Sequence, residues 1–167
     1  MQPHDAKVPQ PILRDHRPGD LGFIVHRHAV LYHQEYGFDA RFEALVARVV
    51  ADFIDGYDPA CDCARIAEID GRIAGSAFVM RKSDEIAKLR LVYVEPWARG
   101  SGLGRHLVEA CIVFARSAGY QRMTLWTQDI LVPARRLYAG LGFQLLCSEP
   151  LKAFGQEMMT ETWERDL

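Results

Sequence analysis

Three glycines stand at alternate positions in the chain, between a run typical of a strand and a run typical of an amphipathic helix. They are Gly100, Gly102 and Gly104. Backbone N–H groups at the start of a helix have no partners within the helix, and the helix dipole adds partial positive charge there. Since glycine has no side chain to keep a ligand away, such a turn can bind a phosphate or pyrophosphate group. Arg99 and Arg105 flank the turn and can add charge-assisted hydrogen bonds.

The spacing of this turn excludes the two commonest phosphate-binding motifs. A dinucleotide fingerprint needs G-x-G-x-x-G, and counted from Gly100 its last glycine position holds Arg105. A P-loop needs Gly-Lys-Ser/Thr after four spacers, and that count again reaches Arg105. The remaining alternative is a helix start that uses its glycines for close packing alone. Three alternating glycines before an amphipathic helix favour the phosphate site over this alternative.

The segment Arg99-Gly100-Ser101-Gly102-Leu103-Gly104 resembles the acyl-CoA pyrophosphate loop of the GNAT superfamily of N-acetyltransferases. That loop has the pattern of Arg or Gln, two residues, Gly, one residue, then Gly or Ala. Family members follow it with a strand, a short helix that carries a tyrosine, and a Gly-Phe pair. Tyr138 with Gly142-Phe143 fits this order. Arg17 to Leu21 and Arg27-His28 further resemble the acetyltransferase half of bacterial proteins that join a MarR-type winged helix to a GNAT domain.

The resemblance implies an activity and a set of cofactor residues. The activity is that of an N-acetyltransferase, which moves an acetyl group from acetyl-CoA directly to a primary amine of a small molecule, amino acid or peptide, without a metal. The strand end would offer backbone groups to the cofactor, the loop amides would hold the pyrophosphate, and Gln128 stands where members often carry Asn. The expected cofactor-binding residues are Val92, Tyr93, Val94, Arg99, Gly100, Ser101, Gly102, Leu103, Gly104, Arg105 and Gln128.

Tyr138 is the catalytic residue that the resemblance implies. A tyrosine at this family position donates a proton to the departing thiolate, and a backbone N–H near Val94 could stabilise the charge on the carbonyl oxygen. The alternative for Tyr138 is a packing aromatic on an amphipathic helix. The alternative function is a non-catalytic acyl-CoA-binding regulatory module that acts with a partner protein. Only the resemblance to the regulator-fused proteins supports that alternative.

His28, Tyr32 and Glu35 are the expected acceptor-binding residues. Helical spacing puts them near one face of the first predicted helix, where they would form a polar and aromatic wall for an amine. The alternative is that this cluster consists of surface histidines and of tyrosines at the edge of the core.

The general base is left open by the sequence. Some relatives place a glutamate on the strand before the loop, but the polar-facing residues of that strand are here Lys88 and Arg90. A proton could pass through ordered water to Glu35, Glu68 or His28, or the amine could arrive neutral.

The elements that must position these residues follow from changes in hydrophobic period. We predict a short strand at 12–15 and two helices, of which the first is capped by Asp20 and closed by Gly37 and the second is capped by Asp39. Asp70-Gly71 predicts a tight hairpin between the next two strands. The full predicted order is strand, two helices, three antiparallel strands, helix, strand, helix and two strands.

Two strand predictions bear directly on the site. Residues 86–94 alternate, which predicts Leu89, Leu91 and Tyr93 on one face and Lys88, Arg90 and Val92 on the other. Residues 143–147 and 157–164 predict the two closing strands. The predicted fold class is α/β (α+β), and the resemblance implies a GNAT-like acyl-CoA N-acyltransferase fold. Its central, mostly antiparallel mixed sheet of 6–7 strands would be flanked by about four helices.

Composition places the chain among ordinary soluble domains. Its 167 residues are 49% hydrophobic and carry a formal net charge of −2, and the length fits a single domain over 1–167, with 1–11 an extended segment. The charge gives no case for nucleic-acid binding, and no apolar run reaches the ~20 residues of a membrane span. Because no signal-peptide core stands at the N-terminus, we expect a cytoplasmic protein. Exposed closing strands could pair two copies into a homodimer.

Overall fold

One mixed sheet of seven strands runs through residues 10–167, the part of the chain that this computed structural model describes. The strands are Ile12–Asp15 (β1), Cys63–Ile69 (β2), Arg72–Arg81 (β3), Ile86–Val94 (β4), Arg122–Gln128 (β5), Gln144–Ala153 (β6) and Gln156–Asp166 (β7). The helices are Asp20–Tyr36 (α1), Ala40–Gly56 (α2), Leu103–Ser117 (α3) and Val132–Gly140 (α4), with a 3-10 turn at Pro96–Ala98. The predicted element order is confirmed. The predicted extended segment 1–11 lies almost wholly outside the described residues.

The strand order in the sheet is β1-β2-β3-β4-β5-β7-β6. Only the β4–β5 pair is parallel among the strands of residues 10–167, and the other neighbours are antiparallel. The predicted fold class, a mostly antiparallel mixed sheet with four flanking helices, is confirmed. No helix in this part of the chain is long and apolar enough to cross a membrane.

Helices cover both faces of the sheet. On one face α3 buries Leu107 completely, and α4 adds Tyr138 to the same apolar cluster. On the other face Ile24 of α1 and Phe53 of α2 pack against Phe78 of β3. This packing of apolar helix stripes on a sheet is what the amphipathic patterns of the sequence require.

Local turn chemistry explains where several of these elements begin and end. Gly37 has a φ of 72° and donates its N–H to His33 O at 2.9 Å, which ends α1 as predicted. Asp39 caps α2 by accepting a hydrogen bond from Arg41 N. The prediction that Asp20 caps α1 is wrong. The capping residue is Gly19, at a φ of 95°, because the Asp20 carboxylate instead accepts hydrogen bonds from Arg14 and from Arg17 N.

The alternation predicted for β4 is wrong beyond Leu89. The register with β3 shifts between Ser76 and Phe78, so β4 carries one extra residue at this point. Leu91 lies within this bulge and has a φ of 51°, in the left-handed region. As a result, Leu89 packs in the α3 cluster, whereas Leu91 and Tyr93 pack in the α1–α2 cluster. A bulge exchanges the two faces in this way because side chains alternate with a period of two.

The closing strands are longer than the sequence predicts, at 144–153 and 156–166. Pro150 interrupts the strand pattern, yet it lies within β6 and pairs with Met159. Because β6 is at the edge of the sheet, the missing N–H of a proline is tolerated there. Phe154 and Gly155 turn the hairpin with φ values of 55° and 77°.

Candidate active site

The strands β4 and β5 separate toward their carboxyl ends and leave a cleft in the middle of the sheet. Their parallel pairing extends as far as Leu89 and Leu125. Beyond this point the bulge at Leu91 bends β4, whereas β5 stays paired with β7 as far as Gln128. The cleft is therefore bordered by the ends of both strands and by the segments that follow them, the glycine turn and α4.

The outer groove is the part of this cleft that ends at the glycine turn, and its volume is about 370 Å³. Most of the residues predicted to bind a cofactor line it, namely Val92, Tyr93, Val94, Arg99, Gly100, Gly102, Leu103, Gly104 and Arg105. Two members of the predicted set do not. Ser101 donates its hydroxyl to Ala98 O at 2.9 Å, and Gln128 lies deeper in the cleft.

The glycine turn presents open backbone to this outer groove. Gly100 and Gly102 have φ values of 81° and 79°, a region that favours glycine. Gly102 is the N-cap of α3, and no side chain of the described chain caps that helix. A Cβ atom added at Gly100 or Gly102 would have no heavy atom of residues 10–167 within 4 Å, apart from those of the glycine and its chain neighbours. An uncapped helix N-terminus beside open backbone is an environment that stabilises an anion.

The two arginines beside the turn are each paired with a carboxylate. Arg99 Nε donates to Val94 O at 3.1 Å, and its Nη2 lies 2.7 Å from Glu35 Oε1, so it ties the turn to the end of α1. Arg105 Nε donates to Glu109 Oε1 at 2.9 Å on α3. Exposed ion pairs of this kind contribute about 0–1 kcal/mol each, so a phosphate could replace a carboxylate partner at little cost.

The inner cavity lies deeper in the cleft, between the sheet and helices α1, α2 and α4, and its volume is about 100 Å³. Tyr138 on α4 lines it, with its ring packed edge-on against Phe143 at 5.9 Å between centroids. Burial first, and Tyr32 second, raise the pKa of Tyr138 above its usual value near 10. The hydroxyl is therefore protonated at neutral pH.

Gln128 carries an unsatisfied donor in the inner cavity. Its side chain is buried, and its Nε2 has no hydrogen-bond partner among the described residues. Leaving a buried donor unpaired costs about 1–3 kcal/mol, so native proteins rarely do so without a reason. A ligand oxygen in the cavity would satisfy this amide.

The predicted acceptor residues are divided between the two parts of the cleft. His28 and Tyr32 line the inner cavity, Glu35 lines the outer groove, and Tyr32 borders both. His28 Nδ1 lies 2.9 Å from Ile24 O, and its ring stacks on Tyr32 at 5.7 Å. Burial lowers the pKa of His28 to about 4. His28 is therefore neutral near pH 7, and Nδ1 carries the proton that it donates to Ile24 O.

Lys88 and Arg90 line the site, but the sequence did not identify them as site residues. It showed only that they occupy the polar face of the strand on which some relatives carry a glutamate. Both are half-buried and line the inner cavity. The signal that could have found them is two cations at alternate positions of an otherwise apolar strand, since alternate residues share a face.

Comparison with known proteins places this chain in a family. The sequence profile of the acetyltransferase (GNAT) family matches residues 25–143. The chain belongs to the GNAT acetyltransferase family. An uncharacterized N-acetyltransferase of Schizosaccharomyces pombe is 31% identical over 115 residues, which cover 68% of this chain and 70% of that protein. A mycothiol acetyltransferase of Propionibacterium freudenreichii is 28% identical over 165 residues, and the match covers 89% of this chain but only 48% of that protein.

Solved structures confirm the GNAT fold. The Salmonella typhimurium protein yncA, solved with its cofactor acetyl-CoA, aligns with a TM-score of 0.72 at 24% identity, over 95% of this chain and 94% of that chain. A GNAT superfamily phosphinothricin acetyltransferase from Sinorhizobium meliloti, in complex with AcCoA, aligns with a TM-score of 0.73 at 21% identity, over 94% and 88% of the two chains. The predicted enzyme class of N-acetyltransferases is confirmed by the family. The roles of individual site residues and the likeness to MarR-fused proteins stay predictions.

Proposed function

We propose that this GNAT family member transfers the acetyl group of acetyl-CoA directly to a primary amine of a small molecule, amino acid or peptide. The observation that carries the proposal is that two cavities adjoin each other between β4 and β5. The outer groove, with its glycine turn, and the inner cavity, with Tyr138, share Tyr32, Val92 and Ala134 in their walls. A cofactor with a pyrophosphate near one end and a thioester at the other needs two adjoining sites of this kind.

The residues of the cleft fit acetyl-CoA. The open backbone of the glycine turn and the uncapped start of α3 would hold the pyrophosphate. Gln128 would donate its unpartnered Nε2–H to an oxygen of the pantetheine arm. The proposed cofactor-binding set remains Val92, Tyr93, Val94, Arg99, Gly100, Ser101 through its backbone, Gly102, Leu103, Gly104, Arg105 and Gln128.

Tyr138 would act as the general acid. When bound, acetyl-CoA supplies an acetyl group that is activated as a thioester. Because burial raises the pKa of Tyr138, its Oη keeps a proton that can be donated to the leaving sulfur. A backbone N–H near Val94 would stabilise the negative charge on the carbonyl oxygen. The inner cavity, at about 100 Å³, leaves little room for water beside the reacting groups.

None of the three candidate general bases is well placed to take a proton, which supports an amine that arrives neutral. His28, with its pKa lowered to about 4, is too weak a base near pH 7. Glu35 is paired with Arg99 at 2.7 Å, and Glu68 of β2 is paired with Arg14 of the edge strand β1 at 2.7 Å. We therefore propose that the acceptor loses its proton to solvent. The rate should then rise with pH through the pKa of the acceptor's own ammonium group.

The release of free CoA thiol from acetyl-CoA on a panel of primary amines tests the proposal. Thermal melting with and without CoA measures binding separately, and a ligand at 100 times its Kd should add about 2.7 kcal/mol of stability. Thiol release that requires the amine, together with stabilisation by CoA, would support the transferase. The reaction without amine is the control for hydrolysis.

The other outcomes of this experiment each point elsewhere. Stabilisation by CoA with no amine-dependent release across the panel would favour the acyl-CoA-binding module. Stabilisation by NAD or ATP but not by CoA would refute the cofactor assignment.

A further inference from the structure

Two cationic side chains line the inner cavity that also contains Tyr138. Lys88 and Arg90 are at alternate positions of β4 before the bulge, so both lie on the face of the sheet that α1 and α2 cover. Both are half-buried. Neither forms an ion pair with an acidic residue of the described chain, and the carboxylate that acts on Arg90, Asp52 of α2, does so from beyond ion-pair distance.

The electrostatics of this pair are unfavourable without an anion. Burial lowers the pKa of Lys88, and the neighbouring charges of Arg90 and Lys82 lower it further. Burial also lowers the pKa of Arg90, although Asp52 opposes this. Partly desolvated like charges are costly unless an opposite charge accompanies them. A carboxylate between the two heads would accept charge-assisted hydrogen bonds from both.

This cation pair is separate from the proposed pyrophosphate site. Arg90 precedes Val94 by four residues, which corresponds to about 13 Å along a strand. Lys88 and Arg90 line the inner cavity and not the outer groove, while the glycine turn lines only the outer groove. The inner cavity of about 100 Å³ equals the space of only a few water molecules, at about 30 Å³ each. It therefore suits a small anionic group better than a segment of folded protein.

We propose that the acceptor is a small amine that carries a carboxylate, such as an α-amino acid, and that Lys88 and Arg90 bind this carboxylate in the inner cavity. This inference rests on the proposed acetyl transfer. The guanidinium supplies a planar pair of donors and the ammonium a point charge, a combination that suits a carboxylate. The transfer step itself is unchanged: the N–C bond forms, the C–S bond breaks, the amine loses one proton and the thiolate gains one.

Matched acceptors test the inference by thiol release. The panel contains L-amino acids, their carboxamides, which keep the amine but lose the negative charge, and the carboxylate-free amines putrescine, tyramine and glucosamine. The amine of a carboxamide is the less basic one, so a preference for the acid cannot come from a larger fraction of free base. The proteins compared are the wild type, the Lys88→Gln/Arg90→Gln double variant, and Arg116→Gln, which removes an exposed cation from α3 on the opposite face of the sheet.

We expect wild-type kcat/KM for the preferred amino acid to exceed that for its carboxamide by at least about 10²-fold. The double variant should bring this ratio close to one through a loss of kcat/KM for the acid, and CoA should still raise its melting temperature. Arg116→Gln should keep the wild-type ratio. Equal use of acids and carboxamides by the wild type, a preference for the carboxylate-free amines, or an unchanged ratio in the double variant would overturn the inference.

Failure of the acetyl transfer itself would be recognised separately, because no amine of any class would then release thiol. In that case, the melting temperature with CoA and an N-acetyl-amino acid, compared with CoA and its amide, still tests the carboxylate site. Extra stabilisation by the acid in the wild type but not in the double variant would support the site. No extra stabilisation in the wild type would refute it.

Discussion

Replacement of Tyr138 by phenylalanine removes the one atom that is proposed to deliver a proton. The ring should keep its place, because it is buried on α4 and packs edge-on against Phe143 at 5.9 Å. The raised pKa of Tyr138 is caused by burial and by Tyr32, and no side-chain hydrogen bond is among its causes. The free energy of unfolding should therefore change by less than about 1 kcal/mol.

Turnover should respond much more strongly than stability. Loss of a general acid typically costs 10²–10⁴-fold, so kcat for Tyr138→Phe should fall at least about 10²-fold, or about 2.7 kcal/mol in the barrier. The affinity for acetyl-CoA should hardly change, because the glycine turn lies in the outer groove, which Tyr138 does not line. Lower kcat with unchanged cofactor binding marks an interaction made mainly in the transition state.

Steady-state thiol release and calorimetric titration with CoA measure these two quantities. Tyr120→Phe is the matched control, since the Tyr120 hydroxyl donates to Cys61 O at 2.9 Å and lines neither part of the cleft. It should cost about 1 kcal/mol of stability and leave kcat unchanged. A kcat for Tyr138→Phe within about threefold of the wild type would refute the acid role and leave Tyr138 as a packing residue.

Three further predictions concern the glycine turn and two buried side chains. Gly102→Val should abolish stabilisation by CoA in melting experiments. The control is Gly119→Val, which places valine at a similar φ of 91° but outside the outer groove and should keep the stabilisation. Equal loss in both variants would contradict a role for the turn. Arg27→Met should lower the free energy of unfolding, measured in urea, by about 3 kcal/mol. The reason is that the buried Glu95 carboxylate loses the two hydrogen bonds that Arg27 donates to it, at 2.6 and 2.9 Å. A loss below about 1 kcal/mol would count against a buried ion pair that contributes to stability. Wild-type stability should be complete above pH 6.5 and fall by up to about 3 kcal/mol toward pH 4, because burial lowers the pKa of His28 from 6.5 to about 4. Urea titrations at several pH values should find this dependence weakened in His28→Gln, and an unchanged dependence would exclude His28 as its source.

The sequence by itself determined the elements and the chemistry of their turns. The change from a helical period to alternation separates α2 from β2, and Asp70-Gly71 specifies the hairpin because both residues adopt a positive φ there. Three alternating glycines predict an open turn before α3, and Gly100 and Gly102 adopt the left-handed φ values that this turn needs. These features depend on residues that are close together in the chain, so one sequence is enough to predict them.

Only the tertiary structure decided how the site is assembled. The bulge at Leu91 follows from the register between β3 and β4, and it separates β4 from β5 to form the cleft. Glu35 of α1 pairs with Arg99, which lies in a distant part of the chain. Lys88 and Arg90 line the inner cavity because α1 and α2 pack over that face of the strand. Register and side-chain partners depend on packing between elements remote in sequence, and the hydrophobic period of a single strand carries no information about either.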